Sequence, residues 1–246
     1  MADATTPSAT YKVRPRTPTV EPFGTMTKVG ARGSCLLLHG WDSIGSDMGP
    51  LCVALRNLPS AAGWNFYTAT YETHLETFVQ AAQDLYPHIH PLTKPLILLG
   101  YSEGGIVNRQ MILDGLEIRA LVTICSPHLG VGSWIPPVDA GVASISCFSA
   151  DLKRLNDSPQ ERGHRHSYHL FAISCSDLWG DHPDDGVVPV RSARGESLGP
   201  VAERVTIHLD YGDQIAGVDP HHRGMDPTYL QPLLDTCSRL FTLGIA

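Results

Sequence analysis

From Ser34 onward, short apolar runs alternate with longer stretches of mixed character. The runs are Ser34–Leu38, Trp64–Tyr71, Leu96–Gly100, Ala120–Cys125, Tyr168–Cys175 and Val205–Leu209. Asp47–Leu58, Glu72–Tyr86, Glu103–Leu116 and Pro227–Leu243 carry helical patterns, with Ile106–Leu116 reading as amphipathic. Strands alternating with helices are the mark of βαβ units. The expectation is therefore an α/β fold: a doubly wound, mostly parallel sheet of about six strands with helices on both faces. Two regions break the rhythm. Residues 1–33, with prolines at 7, 15, 18 and 22, show no periodicity and read as a loosely structured N-terminal arm with room for a strand. Residues 127–166 are too long for a plain connection and predict a cap-like excursion with short helices above the carboxyl edge of the sheet. Residues 34–246, the excursion included, are expected to form one domain.

Composition narrows the partners. At 246 residues and 42% hydrophobic, the chain can bury a full core. A net charge of -7 without any Lys/Arg run argues against nucleic acid or an anionic membrane as ligand. No apolar run reaches the roughly 18 residues of a membrane span, and the N-terminus lacks the features of a signal peptide, so a soluble, cytoplasmic protein is expected. Six cysteines stand at 35, 52, 125, 147, 175 and 237, with no Cys-x-x-Cys pair; reduced structural thiols and no metal are expected.

The chemistry centres on Leu96–Gly105, an apolar strand that runs into Gly-Tyr-Ser102-Glu-Gly and then into a helical pattern. A serine on such a strand-to-helix turn presents its hydroxyl clear of the surface. The hydroxyl is a poor nucleophile at neutral pH, so a histidine base and an acid to orient it should follow downstream, in the order acid, then histidine. After the strand ending at Cys175 come Asp177, Asp181, Asp184 and Asp185; Asp185, directly before Gly186-Val-Val-Pro189, is preferred because the chain becomes buried there. After the last strand come His221 and His222, of which His222 is preferred for its spacing to Gly224 and Met225. Two backbone amides should receive the oxyanion: that of Glu103, after the nucleophile, and that of Trp41, beyond the His39-Gly40 turn.

His39-Gly40, Gly-Tyr-Ser102-Glu-Gly-Gly, Ser126-Pro-His-Leu-Gly130, Asp185-Gly-Val-Val-Pro and the late histidine together resemble the α/β-hydrolase superfamily, nearest its lipase/esterase and acyl-thioesterase branches. The resemblance covers about residues 34–243. It implies a serine hydrolase that cleaves a carboxylic ester or thioester through an acyl-enzyme, with no cofactor, on a small-molecule substrate with an apolar acyl group. Trp134, Ile135, Val138 and Phe148 of the excursion are the candidates for the acyl-binding wall. His128 is taken as structural. Two other readings fit the same residues: an acyltransferase or cyclase that passes the acyl group to another nucleophile, and a hydrolase-fold binding protein or receptor.

Overall fold

A computed structural model describes residues 16–27, 30–175, 185–209, 221 and 225–243. The chain runs through β1 (Thr19–Pro22), β2 (Gly33–Leu38), α1 (Gly49–Arg56), β3 (Trp64–Thr70), α2 (Phe78–Ile89), β4 (Leu96–Tyr101), α3 (Glu103–Leu113) and β5 (Ala120–Ile124). The excursion contributes α4 (Ala140–Ser144), α5 (Ala150–Asp157) and α6 (Pro159–His164). β6 (Tyr168–Cys175), α7 (Val190–Ala193), β7 (Glu203–Leu209) and α8 (Gln231–Thr242) complete the fold.

The seven strands form one sheet in the order β1-β3-β2-β4-β5-β6-β7. All pairings are parallel except that of β1, which runs antiparallel to β3 at one edge. Part of the segment expected to be a loose arm is thus the seventh strand.

Alternate residues of each strand face opposite sides, and each side is covered by helices. On β2, Leu36 and Leu38 join a core containing Phe78, Ala81 and Leu85 of α2 and Ile106 and Met111 of α3. Cys35 and Leu37 point the other way, to Leu51 and Leu55 of α1 and Leu233, Cys237 and Phe241 of α8. A strand buried on both sides must be apolar at successive positions, which is why β2 and β4 are unbroken apolar runs.

α2 begins at Phe78, six residues later than its pattern suggested. Thr77 and Gln80 form a reciprocal capping box there, while the Glu72 carboxylate accepts the amides of His74 and Leu75 and closes a turn before it. α3 is not amphipathic. Its residues Glu103–Ile112 are all buried, because α5 and α6 of the excursion cover its outer side. Arg109 of α3 is fully buried and donates to Glu161 Oε1 (2.7 Å) and Asn156 Oδ1 (2.9 Å); Arg165 donates to the other oxygen of Glu161 (2.6 Å). No helix among the described residues is long and apolar enough to cross a membrane. Cys35, Cys52, Cys125, Cys147 and Cys237 are free thiols, and of these Cys147 alone is exposed.

Candidate active site

In register, Leu38 of β2 lies opposite Gly100 of β4, and Tyr101 opposite Ile124 of β5. The carboxyl ends of three neighbouring strands therefore release the chain at one edge. Asp42, Ser102 and Cys125, just past those ends, all have left-handed backbones, with φ of 55°, 51° and 52°. For residues with a Cβ this conformation costs on the order of 1–3 kcal/mol each, and such strain gathers at functional sites.

Ser102 stands between β4 and α3, its amide bonded to the Ile124 carbonyl (2.8 Å). Glycine at 104 is required by contact: a Cβ there would lie 2.4 Å from the His39 carbonyl oxygen. Gly40 is equally constrained, since its Cβ would come within 2.7 Å of the Ser102 Cβ.

The Ser102 hydroxyl lies 2.9 Å from His221 Nε2, and His221 Nδ1 lies 2.8 Å from Asp185 Oδ2. The other oxygen of Asp185 accepts the amides of Val187 (3.0 Å) and Val188 (2.7 Å). Burial pushes the Asp185 carboxyl up, but attraction and hydrogen bonding from His221 and the two amide bonds outweigh it and hold the group below its ordinary value. Asp185 is therefore an anion that accepts the Nδ1 proton, leaving Nε2 free to accept the serine's.

The structure brings Ser102 and Asp185 together as expected from their order, and among the described residues the histidine that joins them is His221. His222 lies outside the described residues, as do Asp177, Asp181 and Asp184. Spacing to Gly224, on which the preference for His222 rests, carries no information on the direction in which His221 points. Part of what holds His221 is Tyr101, whose hydroxyl donates to the His221 carbonyl (2.8 Å) and whose ring lies 5.2 Å from the imidazole. Nothing in the sequence marks that tyrosine.

The amides expected to receive an oxyanion are those of Glu103 and Trp41. Glu103 N–H belongs to the first turn of α3, where no intrahelical acceptor exists. Trp41 N–H has no hydrogen-bond acceptor among the described residues. The Trp41 indole donates to Asp139 (2.9 Å), which also bonds His74 (2.8 Å) and caps α4 through the Val142 amide (2.9 Å). The Glu103 side chain turns away into the fold. It is buried, which drives its carboxyl well above the ordinary range, with Asp139 and Glu72 adding to the effect.

Ser102 and His221 open onto a cavity of about 380 Å³ whose walls include Val131, Ile135, Val138, Val142, Ile145 and Val187. Of the four wall residues expected from sequence, Ile135 and Val138 are in place. Trp134 lines a neighbouring cavity of about 420 Å³ instead, and Phe148 is 86% exposed and lines neither. Only the first half of the excursion walls the site; the second half, α5 and α6, packs on α3. His128 is buried and bonded to Thr123 (2.9 Å).

No family model matches the chain, and no curated protein does. Its structure is similar to that of a Bacillus licheniformis lipase in mature form, with a TM-score of 0.60 at 14% identity over 92% of this chain and 99% of that one. The propeptide form of that lipase also matches, at 14% identity and a TM-score of 0.60; the match covers 94% of this chain but 54% of that longer one. A carboxylesterase of the thaumarchaeon Nitrososphaera gargenis is similar at 15% identity and a TM-score of 0.57, over 92% of this chain and 95% of that one. A type II thioesterase of the yersiniabactin pathway is similar at 14% identity and a TM-score of 0.51, over 92% and 99%. At such identities the likeness is one of fold. The chain has the α/β-hydrolase fold.

Proposed function

We propose that the protein is a serine hydrolase of carboxylic esters or thioesters with an apolar acyl group. The observation that carries this reading is the unbroken chain Ser102–His221–Asp185, with links of 2.9 and 2.8 Å, opening onto the apolar cavity. Ser102 Oγ attacks the carbonyl carbon as His221 Nε2 takes its proton. Asp185 keeps the imidazole in the tautomer that allows this and balances the imidazolium that forms. The Trp41 and Glu103 amides receive the oxyanion. Collapse of the tetrahedral intermediate expels the alcohol or thiol, which takes the proton back from His221, and water repeats the sequence on the acyl-enzyme.

The cavity favours an apolar acyl group because its wall is mostly aliphatic and offers such a chain escape from water. Similarity to a lipase, a carboxylesterase and a thioesterase agrees with this chemistry, though fold alone does not fix function. The test is turnover of a short chromogenic ester. Ser102→Ala and His221→Ala should each lower kcat by something on the order of a million-fold, whereas His222→Ala should leave most activity in place. A folded Ser102→Ala protein with wild-type turnover would remove Ser102 from the mechanism.

A further inference from the structure

The mechanism leaves one buried thiol at the centre of the site unused. Cys125 directly follows β5 and is fully buried. A ligand atom each from Cys125, Asp185 and His221 lies within 4.8 Å of the others. We propose that these three side chains form an inhibitory site for a borderline-soft divalent cation of the zinc type.

Zinc accepts sulfur, nitrogen and oxygen donors alike, and its three-ligand sites leave the fourth position to water. Bond lengths of about 2.0–2.3 Å in a tetrahedron separate the donors by roughly 3.3–3.8 Å, so small side-chain shifts close the site. Charge also fits. A Cys125 thiolate and the Asp185 carboxylate together neutralise the dication, so the buried site carries no net charge, whereas Cys125 deprotonated alone would put two anions side by side. Binding forms one bond to each side chain; the thiol proton leaves to solvent and the imidazole proton moves from Nδ1 to Nε2. No electron changes hands. With Nδ1 on the metal, Nε2 becomes a donor toward Ser102 and can no longer accept its proton.

The inhibition part of this inference rests on the hydrolase reading; the binding part does not. Metal-stripped whole protein is titrated with Zn²⁺ in the ester assay and, separately, with Co²⁺ in the spectrophotometer. Wild type should lose activity reversibly, regaining it with a chelator. Cys125→Ala and Cys125→Ser should need at least about tenfold more zinc, since even loss of an outer hydrogen-bond partner of a ligand costs 10- to 100-fold in affinity. Co²⁺ should give wild type and the inactive Ser102→Ala protein a thiolate-to-cobalt charge-transfer band that both Cys125 variants lack. If those variants do not fold, the band should weaken in Asp185→Asn, which keeps the carboxylate's shape. Equal zinc sensitivity or an unchanged band in the Cys125 variants, or a band unchanged in Asp185→Asn, overturns the proposal. So does zinc sensitivity lost instead in His74→Gln, because His74 sits between Asp42 (3.0 Å) and Asp139 (2.8 Å) beside the same cavity.

Discussion

A single peptide group decides whether the first oxyanion amide points at the nucleophile. The Gly40 carbonyl and the Trp41 N–H belong to the same trans peptide and so point in opposite directions. His39 Nδ1 lies 2.7 Å from that carbonyl oxygen, and its Nε2 accepts the Tyr71 amide (3.3 Å), so the proton is on Nδ1 and donates to Gly40. Tyr71 stacks on the imidazole at 4.3 Å and donates its hydroxyl to the His39 carbonyl (2.7 Å). The imidazole therefore clamps the carbonyl on one side and aims the Trp41 N–H to the other. His39→Ala frees the peptide to turn and should lower kcat about 10²- to 10³-fold, the effect of losing one oxyanion donor, with KM little changed. A folded variant with wild-type kcat would rule the clamp out. At this scale the sequence was informative where chemistry dictates residue type and poor where direction matters. Ser102 and the Asp185 position follow from a strand, a turn and chain order. That His221 meets the serine depends on the direction of its side chain, which chain order does not carry, and Trp134 and Phe148 are apolar residues that the excursion does not aim at the site.

At the scale of elements, the buried Arg109–Glu161–Arg165 cluster fastens the excursion to α3, the helix that carries the nucleophile's neighbours. Both arginines and the glutamate are almost wholly removed from solvent, so each charge depends on its partner. Glu161→Gln leaves two buried guanidinium groups facing a neutral amide, and by the general cost of breaking a buried pair it should lower unfolding free energy by about 3–5 kcal/mol. Urea unfolding reads this directly; a loss below about 1 kcal/mol would mean that solvent or relaxation compensates the arginines. The same cluster explains why α3 read as amphipathic. Arg109 looks like a water-facing residue in the sequence, and only the excursion, about 50 residues on, supplies Asn156 and Glu161, the partners that let it be buried. The strands were legible nearly to the residue, because a strand covered on both faces has no polar side to blur its ends. The start of α2 was not, since glutamates that suit a helix can equally close a turn.

For the whole molecule, the buried titratable groups set a pH range. Burial, opposed by the bond to Gly40, brings the His39 pKa down from 6.5 to about 4. A base whose folded pKa is depressed stabilises the fold fully above its unfolded pKa and loses that contribution as pH falls toward the folded value. Between about pH 6.5 and 4 this amounts to roughly 3 kcal/mol. His128, lowered by burial and by Arg109, acts in the same direction. Asp185 and Glu161, carboxyls held low by their partners, add losses at still lower pH, while Glu103, raised by burial, opposes the trend. Melting temperature should therefore fall steeply between pH 7 and pH 4.5, and less steeply in His39→Gln; equal slopes would show that His39 does not titrate on unfolding. The overall architecture was legible because alternating strands and helices leave few topologies open, with one exception at the edge. β1 carries little apolar signal: it is a four-residue strand, antiparallel, with Pro18 just before it and Pro22 at its end. Among the described residues nothing pairs with its outer side. Prolines lack the N–H that a docking strand needs, and four residues offer few others, so this border of the sheet gives a neighbouring chain almost nothing to extend. The segment that looked least structured thereby serves as a guard against self-association along the sheet.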